Sequence, residues 1–260
     1  MTGDDLNYLK EWFSDYTGSF FGDDEGDNRN LRLKAEHTQN VCSNIKEIAV
    51  SLPLSFKKVI LAETIALFHD VGRFSQYIKY KTFQDNKSVN HGLLGARILE
   101  EKAVLKNLAD AEKHLIINSV KFHNVFQMPD LKDEELTLFL KLVRDADKLD
   151  ILRVFINFYE SPAEERASAT AFGLPDVPEY SKEILERIYK EQKVSYASLR
   201  SVNDFKLMNL SWGYAMNFKA SYRLLKERDY LKRIARYLPQ TEDIAGAVAL
   251  LHRFIEKQLK

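Results

Sequence analysis

The sequence has a single cysteine, Cys42, and no long uninterrupted run of apolar residues. One cysteine excludes an intramolecular disulfide framework and fits a reducing compartment, and its apolar helical surroundings predict a core residue. No segment approaches the length of a membrane span, and the acidic start MTGDDLNYLKEWF does not resemble a signal peptide. These absences predict a soluble, cytoplasmic protein that does not bind a membrane.

The chain also lacks net charge, with 38 Lys and Arg residues against 38 Asp and Glu residues. A balanced composition argues against the binding of a nucleic-acid polymer over a broad surface. A small phosphorylated molecule is still a suitable partner, because one local metal ion or arginine can hold a phosphate without any overall charge.

Strand signals are weak, whereas apolar residues recur every three or four positions along most of the chain. This period predicts an all-α fold, and 260 residues with 45% hydrophobic content can form one domain around one core. The Asp-rich segment 23–30 lacks the EF-hand pattern and is predicted to be a solvated loop. Turn-like pieces at Pro53, Gly72 and Pro129 separate five predicted helices. These helices cover about residues 34–50, 56–69, 91–108, 111–124 and 134–151.

The second half begins with a proline-rich stretch, SPAEERASATAFGLPDVPEY, which holds three of the six prolines and has no clean period. We predict a long loop over about 160–180, of the kind that often serves as a lid. Amphipathic segments follow at about 181–192, 203–227 and 241–259. We expect them to pack on the bundle formed by about residues 30–155 within one domain, because three such helices have little core of their own.

Histidine and aspartate side chains fall on the apolar faces of five consecutive predicted helices. His37, for example, precedes Val41 and Ile45 at helical spacing and so points toward the core. A lone inward histidine is usually an ordinary core residue, but a buried carboxylate is costly without a partner. Five helices that each place such a residue on the apolar face are better explained by a shared set of metal ligands. A bound metal offsets the cost of burying all of these polar side chains at once. The predicted ligands are His37, His69, Asp70, His91, His123 and Asp147. His114 and His252 lie off the apolar faces and receive no role.

The order of these residues resembles the H…HD…D signature of the HD-domain metal-dependent phosphohydrolases. The matching residues are His37, His69, Asp70 and Asp147, and the segments FHDVGRF, NHGLLGARIL and RDADKLD are also similar to that family. With His91 and His123 added, the pattern resembles the six-ligand, dinuclear version. The resemblance covers about residues 34–152 and implies a helical bundle with the metals between its helices. The segment NVFQMPD lacks the motifs of the HD-GYP cyclic-dinucleotide phosphodiesterases, which makes cyclic di-GMP a minor candidate.

Four imidazoles and two carboxylates, with no thiolate, suit two divalent ions of Fe, Mn, Ni, Co or Mg better than a structural zinc. We expect Asp70 to bridge the two ions, since it stands beside His69 at a helix end. A bridged water then becomes hydroxide near neutral pH and attacks phosphorus in line. The predicted reaction is hydrolysis of a phosphoester or phosphoanhydride in a small phosphorylated metabolite, with a nucleotide as the first candidate.

Candidate substrate contacts lie close to these ligands in the sequence. Arg73, just past the expected turn, is predicted to be a catalytic phosphate clamp, because a guanidinium matches phosphate geometry. Lys148 is a second catalytic candidate of the same kind, and both residues also have a plain reading as surface charges. Asn124 and Gln76 are predicted to touch substrate, and Arg144 is expected to pair with a ligand carboxylate.

Three other functions stay open on the sequence alone. A mixed-valence di-iron oxygenase, similar to myo-inositol oxygenase, has the same fold and ligand order. A non-catalytic, metal-bound bundle that senses a nucleotide is a second alternative, and a mononuclear nucleotidase in which His91 and His123 are core residues is a third. No pattern determines the oligomeric state. Several aromatic side chains are predicted either to lie in the core or to stack on a base, namely Tyr77, Phe126, Trp212 and Tyr214.

Overall fold

A computed structural model describes residues 1–168 and 173–260 of the chain. Within these ranges the regular elements are helices and no strand occurs, which confirms the predicted all-α fold. The chain divides into two compact units. The first comprises Met1–Asp150 and a short segment that begins at Arg166, and the second comprises Ile151–Glu165 and the residues after that segment up to Lys260. The packing of the C-terminal helices on the bundle stays a prediction.

The first unit is a bundle of α-helices. They are α1 Gly3–Gly18, α2 Glu25–Val50, α3 Phe56–Phe68, α4 Gly72–Tyr80, α5 His91–Glu101, α6 Asp110–Phe122 and α7 Glu134–Glu160, of which α7 continues into the second unit. Helix α2 packs against α3, and α5 packs against both α4 and α6. A short 3-10 helix, Asp85–Lys87, lies in the connection between α4 and α5.

Two predicted loops turn out to be helical. The polar segment 23–30 belongs mostly to α2, because Asp24 caps this helix by accepting a hydrogen bond from the backbone N–H of Asp27. Gly72, predicted to lie in a turn, is the first residue of α4. Its missing side chain serves close packing, since a Cβ there would overlap the backbone carbonyl of His91 and lie 2.8 Å from the backbone nitrogen of Gly95.

Two helices end at other residues than predicted, and the first helix of the chain was not predicted. Helix α5 ends at Glu101 and not near residue 108, because Ala103 takes a left-handed conformation, with φ of 48°, that ends the helix. Helix α7 extends to Glu160, past its predicted end near residue 151. Helix α1 was not among the predicted elements, and it buries Phe13 edge to face against Phe68 with the ring centroids 6.3 Å apart.

The second unit is also helical, and one long predicted helix is broken within it. The prediction for 203–227 was wrong, because a 3-10 helix at Trp212–Ala215 and an extended Met216 interrupt it. Gly213 lies in this break, where a Cβ would come within 2.7 Å of Leu251. The α-helices are α8 Lys182–Tyr189, α9 Val202–Ser211, α10 Lys219–Glu227, α11 Tyr230–Ala235 and α12 Glu242–Leu259.

The predicted lid at about 160–180 falls partly on residues 169–172, which lie outside the described residues. Its described part after Glu160 contains a 3-10 helix, Ala163–Glu165, and no α-helix, which agrees with a long connection. In the described ranges, none of the helices has both the length and the apolar character needed to cross a bilayer.

Candidate metal centre

The structure brings all six predicted ligand residues together inside the first unit. Helix α2 contributes His37 from its middle, and α7 contributes Asp147. The ends of α3 and α6 are capped by His69 and His123, while His91 is the first residue of α5. Four histidines and Asp70 are no more than 3% exposed, and Asp147 is the most open of the six, with 18% of its side chain exposed.

One half of the cluster is formed around His37 and His69, whose Nε2 atoms lie 3.2 Å apart. The carboxylate oxygen Oδ1 of Asp147 lies 3.2 Å from His37 Nε2 and 3.7 Å from His69 Nε2. Oδ2 of Asp70 lies 3.5 Å and 3.8 Å from the same two nitrogens. We call these four residues the first half of the site, and the donor atoms of His37, His69 and Asp70 are close enough together to bind one ion.

The second half is formed by His91 and His123, whose Nε2 atoms lie 3.0 Å apart. Here the other oxygen of Asp70, Oδ1, lies 3.3 Å from His91 Nε2 and 3.7 Å from His123 Nε2. These three residues also form a group that could hold an ion. Asp70 therefore belongs to both halves and faces each of them with a different oxygen.

The two halves repeat the same local structure. In each half the two histidines are 32 residues apart in the chain, and the second of them follows a 13-residue helix. The sequences at these helix ends are Phe-His-Asp-Val and Phe-His-Asn-Val. The repeat is unequal, because Asn124 stands where the first half has Asp70, and the second half has no counterpart of Asp147 among the donors described above.

Every ring is oriented through its Nδ1 atom. His69 and His123 donate from Nδ1 to the backbone carbonyls of Ala66 and Val120, at 2.6 and 2.7 Å. In each half the other histidine uses a carboxylate instead, with His37 Nδ1 lying 2.7 Å from Asp150 and His91 Nδ1 lying 2.7 Å from Asp85. An Nδ1 held in this way carries a proton and leaves Nε2 to point into the cluster. Each pair of Nε2 atoms is therefore oriented as ligands for a divalent cation, and the donor set fits one.

The charges in the two halves differ. Burial and the nearby Lys34 lower the pKa of His37, but hydrogen bonds to Asp147 and Asp150 outweigh them and raise it to about 9. Burial and the charge of Arg73 lower the pKa of His91 to about 3. A proton thus resides in the first half of the metal-free protein at neutral pH, and His91 stays neutral.

Both carboxylates of the cluster remain ionised. Burial opposes the charge of Asp70, but Lys34, His69 and Arg73 hold its pKa well below the usual range. Asp147 behaves in the same way, because its hydrogen bonds with the first-half histidines outweigh the effect of burial on its pKa. Two anionic carboxylates beside four imidazoles form a site suited to divalent cations.

Two cations flank Asp70. Arg73 lies just past the turn at 69–71, as predicted, and in the first turn of α4, with its Nε 3.4 Å from Oδ1 of Asp70. Lys34 has its Nζ 2.8 Å from Oδ2 of Asp70. Lys34 was missed by the sequence analysis, although it precedes His37 by one helical turn and so shares its face.

A carboxylate in the connection between α4 and α5 was also missed. Asp85 accepts hydrogen bonds from His91, from Arg73 Nη1 at 3.0 Å, from Gln76 Nε2 at 3.0 Å and from Asn124 Nδ2 at 3.0 Å. Gln76 is fully buried and both of its amide atoms hold bonds within the protein. This arrangement favours a supporting role for Gln76 over the predicted substrate contact.

Three further residues that the sequence singled out are Lys148, Arg144 and Cys42. Lys148 lies 3.8 Å from Asp145 with 15% of its side chain exposed. Arg144 donates from Nη1 to the backbone carbonyls of His123 and Val125, at 2.7 and 2.6 Å, so it fastens the end of α6. Cys42 is buried, as predicted.

Other sequence predictions concern residues outside the cluster. His114 and His252 are exposed and are not members of the cluster, as expected. Tyr77 and Trp212 are buried, while Phe126 is 51% exposed. Tyr214 stacks edge to face on Phe254.

A comparison with protein-family models matches residues 35–152 to the HD domain. This part of the chain is an HD domain. The match covers the residues on which the sequence resemblance rests, and the clustered histidines and aspartates fit a metal site of the HD type. The HD superfamily consists mostly of metal-dependent phosphohydrolases. Searches of curated proteins and of solved structures gave no match to the chain.

Proposed function

We propose that this HD domain is a metal-dependent phosphohydrolase that cleaves a phosphoester or phosphoanhydride of a small phosphorylated metabolite, with nucleotides as the first class to test. The observation that carries the proposal is the position of Asp70, whose two oxygens each face a different pair of histidine Nε2 atoms. A carboxylate between two such pairs suits the bridging ligand of a two-metal hydrolytic site. The known chemistry of the HD superfamily supports the same reaction class.

The chain's own residues would hold two divalent ions and keep their surroundings dry. The ligands would be His37, His69, Asp70, His91, His123 and Asp147. Ions bound there supply Lewis acidity and lower the pKa of water toward neutrality. The Nδ1 partners of the four rings fix the direction of each Nε2 lone pair, and the burial of five of the six residues excludes bulk water.

Two basic side chains beside Asp70 support phosphate as the group that is bound. Arg73 keeps Nη1 on Gln76, Asp85 and the Phe83 carbonyl, and Nη2 has no hydrogen bond to any described residue. Lys34 and Arg73 lie beside the same ring, with Nζ and Cζ 5.1 and 5.9 Å from the centroid of Phe83. Two positive charges next to a metal-binding carboxylate suit a phosphoryl group, whose oxygens carry several negative charges.

The experiment is a hydrolysis assay on purified protein supplied with Mn²⁺, Fe²⁺, Co²⁺ or Ni²⁺ in turn. The panel contains nucleoside mono-, di- and triphosphates, dinucleoside polyphosphates, cyclic nucleotides and sugar phosphates, and release of phosphate or nucleoside is measured. Asp70→Ala is the test variant, since it removes the carboxylate common to both halves. His114→Ala is the matched control, because His114 is an exposed histidine outside the cluster.

Metal-dependent turnover that is abolished in Asp70→Ala and retained in His114→Ala supports the proposal and names the substrate class. Turnover that is equal in both variants overturns it, because the activity would then come from elsewhere. Loss of an organic substrate that requires iron and dioxygen, without phosphate release, would assign the site to the oxygenase alternative.

A further inference from the structure

In each half of the site, one histidine is oriented by a carboxylate. The two halves differ in where that carboxylate lies. In the first half, His37 is oriented by Asp150, which is only 1% exposed and belongs to the 27-residue helix α7. In the second half, His91 is oriented by Asp85, whose side chain is 30% exposed. Asp85 lies in the connection 81–90, whose described regular structure is one three-residue 3-10 helix. The second half thus depends on a segment with little secondary structure.

Asp85 is also one of the residues through which this connection is fastened to its surroundings. Its carboxylate accepts from Arg73 and Gln76 of α4 and from Asn124 just after α6, in addition to His91. One side chain therefore joins α4, the start of α5 and a residue just after α6 to the connection. Gln76 adds bonds to the connection itself, from Nε2 to Ser88 Oγ at 2.8 Å and to the Val89 carbonyl at 2.9 Å.

The two halves also differ in the carboxylate charge that they offer to an ion, and the second half again has less. The first half has Asp147 together with one oxygen of Asp70, whereas the second half has the other Asp70 oxygen and the amide Asn124 at the repeated position. A hard or borderline divalent ion binds more tightly where more carboxylate charge is available. By its carboxylate charge, the first half is therefore the stronger site.

We propose that Asp85 is a positioning residue of the second half, so that an ion bound to His91 and His123 and the order of the connection 81–90 depend on each other. The first half, oriented by Asp150 on α7, binds the first ion independently of that connection. The inference rests on the proposed two-ion site. Removal of an acid that orients a metal-bound histidine typically weakens metal binding by about 10- to 100-fold.

The test is calorimetric titration of the metal-free protein with Mn²⁺ alone, in wild type, Asp85→Asn and Asp150→Asn. We expect wild type to bind two equivalents in two steps. Asp85→Asn should weaken the second step by about 10- to 100-fold and leave the first within about twofold, whereas Asp150→Asn should weaken the first step. The two variants are matched, because each removes the charge of one histidine partner and keeps the shape of the side chain.

A second readout follows the connection itself. Backbone hydrogen exchange in residues 81–90 should slow down with the second equivalent of Mn²⁺ and not with the first, and Asp85→Asn should abolish this protection. Thermal unfolding of each metal-free variant checks that it folds. If Asp85→Asn does not fold, Asn124→Ala provides the same test with a smaller effect on the second step. It removes Asn124 Nδ2, which is one of the four donors to Asp85 and also lies 3.3 Å from His91 Nδ1, and keeps the bond between Asp85 and the His91 ring.

An unchanged second step in Asp85→Asn overturns the inference while the two-ion site stands. A wild-type protein that binds one equivalent, unaffected by His91→Ala, overturns both the inference and the proposed two-metal hydrolase. Selective loss of the second step, in a protein that hydrolyses nothing in the phosphate panel, supports the inference and removes the proposed function.

Discussion

Lys34 places its ammonium Nζ 2.8 Å from Oδ2 of Asp70, the oxygen that faces the first pair of histidines. The side chain of Lys34 is 15% exposed and that of Asp70 is 4% exposed, so this ion pair is largely shielded from solvent. A positive charge therefore already stands at the oxygen that an ion in the first half would use. Lys34 would compete with such an ion for Asp70, and its ammonium would become available to another anion when the ion is bound.

We expect Lys34→Met to tighten the binding of the first Mn²⁺ equivalent several-fold, because the competing ammonium is gone. The same change should lower the free energy of unfolding of the metal-free protein by about 1–3 kcal/mol, since a buried carboxylate loses a charged hydrogen-bond partner. Calorimetric titration and denaturant unfolding measure the two effects.

Lys46→Met on the same helix is the control, because Lys46 is exposed and lies 4.0 Å from Glu63, away from the cluster. It should change neither the affinity for Mn²⁺ nor the stability appreciably. Equal Mn²⁺ affinities in wild type and Lys34→Met would contradict the competition between Lys34 and the first ion.

The pKa values of His37 and His91 predict different proton release from the two halves. The pKa of His37 is raised to about 9 by Asp147 and Asp150 against burial and Lys34, so this ring is protonated at pH 7.5. Binding of the first ion must then release about one proton, and the affinity should rise about tenfold per pH unit between pH 7 and 9. The pKa of His91 is lowered to about 3, so the second ion displaces no proton from it near neutrality.

Calorimetric titration in two buffers of different ionisation enthalpy measures the number of protons released in each step. His37→Gln should abolish the release and the pH dependence of the first step, although that step will be weaker because a ligand is lost. Equal proton release in both steps would refute the assigned charge of His37.

The sequence predicts the six clustered residues well, because each of them lies within or at the end of an apolar stripe of known period. His37 and Asp147 are recognisable because their neighbours at helical spacing are apolar. Lys34 gives no such signal, since a lysine on a helix is usually solvated. Asp85 lies in a connection without a period, and its four donors come from residues that only the folded chain brings together.

Asp150 was hidden for a different reason. Helix α7 is buried on most of its sides around this residue, so that apolar positions form no single stripe against which an acid stands out. The only hint was its place in the segment RDADKLD. Breaks such as the one at Gly213 depend on the approach of Leu251 from a distant helix, which local sequence does not encode.

Gly72→Ala should destabilise the protein, because its Cβ would overlap the backbone carbonyl of His91 and crowd the backbone of Gly95. Backbone atoms cannot rotate away as a side-chain end can, so α4 and α5 must separate. We expect a loss of about 1–3 kcal/mol or more in the free energy of unfolding, measured by denaturant titration of the metal-free protein.

Because the affected carbonyl belongs to His91, Gly72→Ala should also weaken the second Mn²⁺ step. Gly18→Ala is the control, since no atom lies within 4 Å of the Cβ that it would add. Similar unfolding midpoints for the two variants would show that α4 and α5 leave room for a Cβ at Gly72.

The last prediction concerns Arg73 as the phosphate-binding residue of the proposed enzyme. Its Nη1 is held by Gln76, Asp85 and the Phe83 carbonyl, and this anchoring aims the rest of the guanidinium beside Asp70. A lysine has the positive charge but not the planar guanidinium with its several N–H donors. It therefore cannot hold these acceptors and a phosphate at the same time.

We therefore expect Arg73→Gln to lower kcat/KM by about 10- to 100-fold at saturating Mn²⁺, with Arg73→Lys recovering only part of the loss. Saturating metal separates this effect from weaker binding in the second half, which Arg73 also contacts through Asp85. Arg97→Gln, on the exposed face of α5, is the control and should leave kcat/KM unchanged. If Arg73→Gln and Arg97→Gln have equal kcat/KM, Arg73 only supports the connection, and the phosphate must be held by Lys34 or by the ions alone.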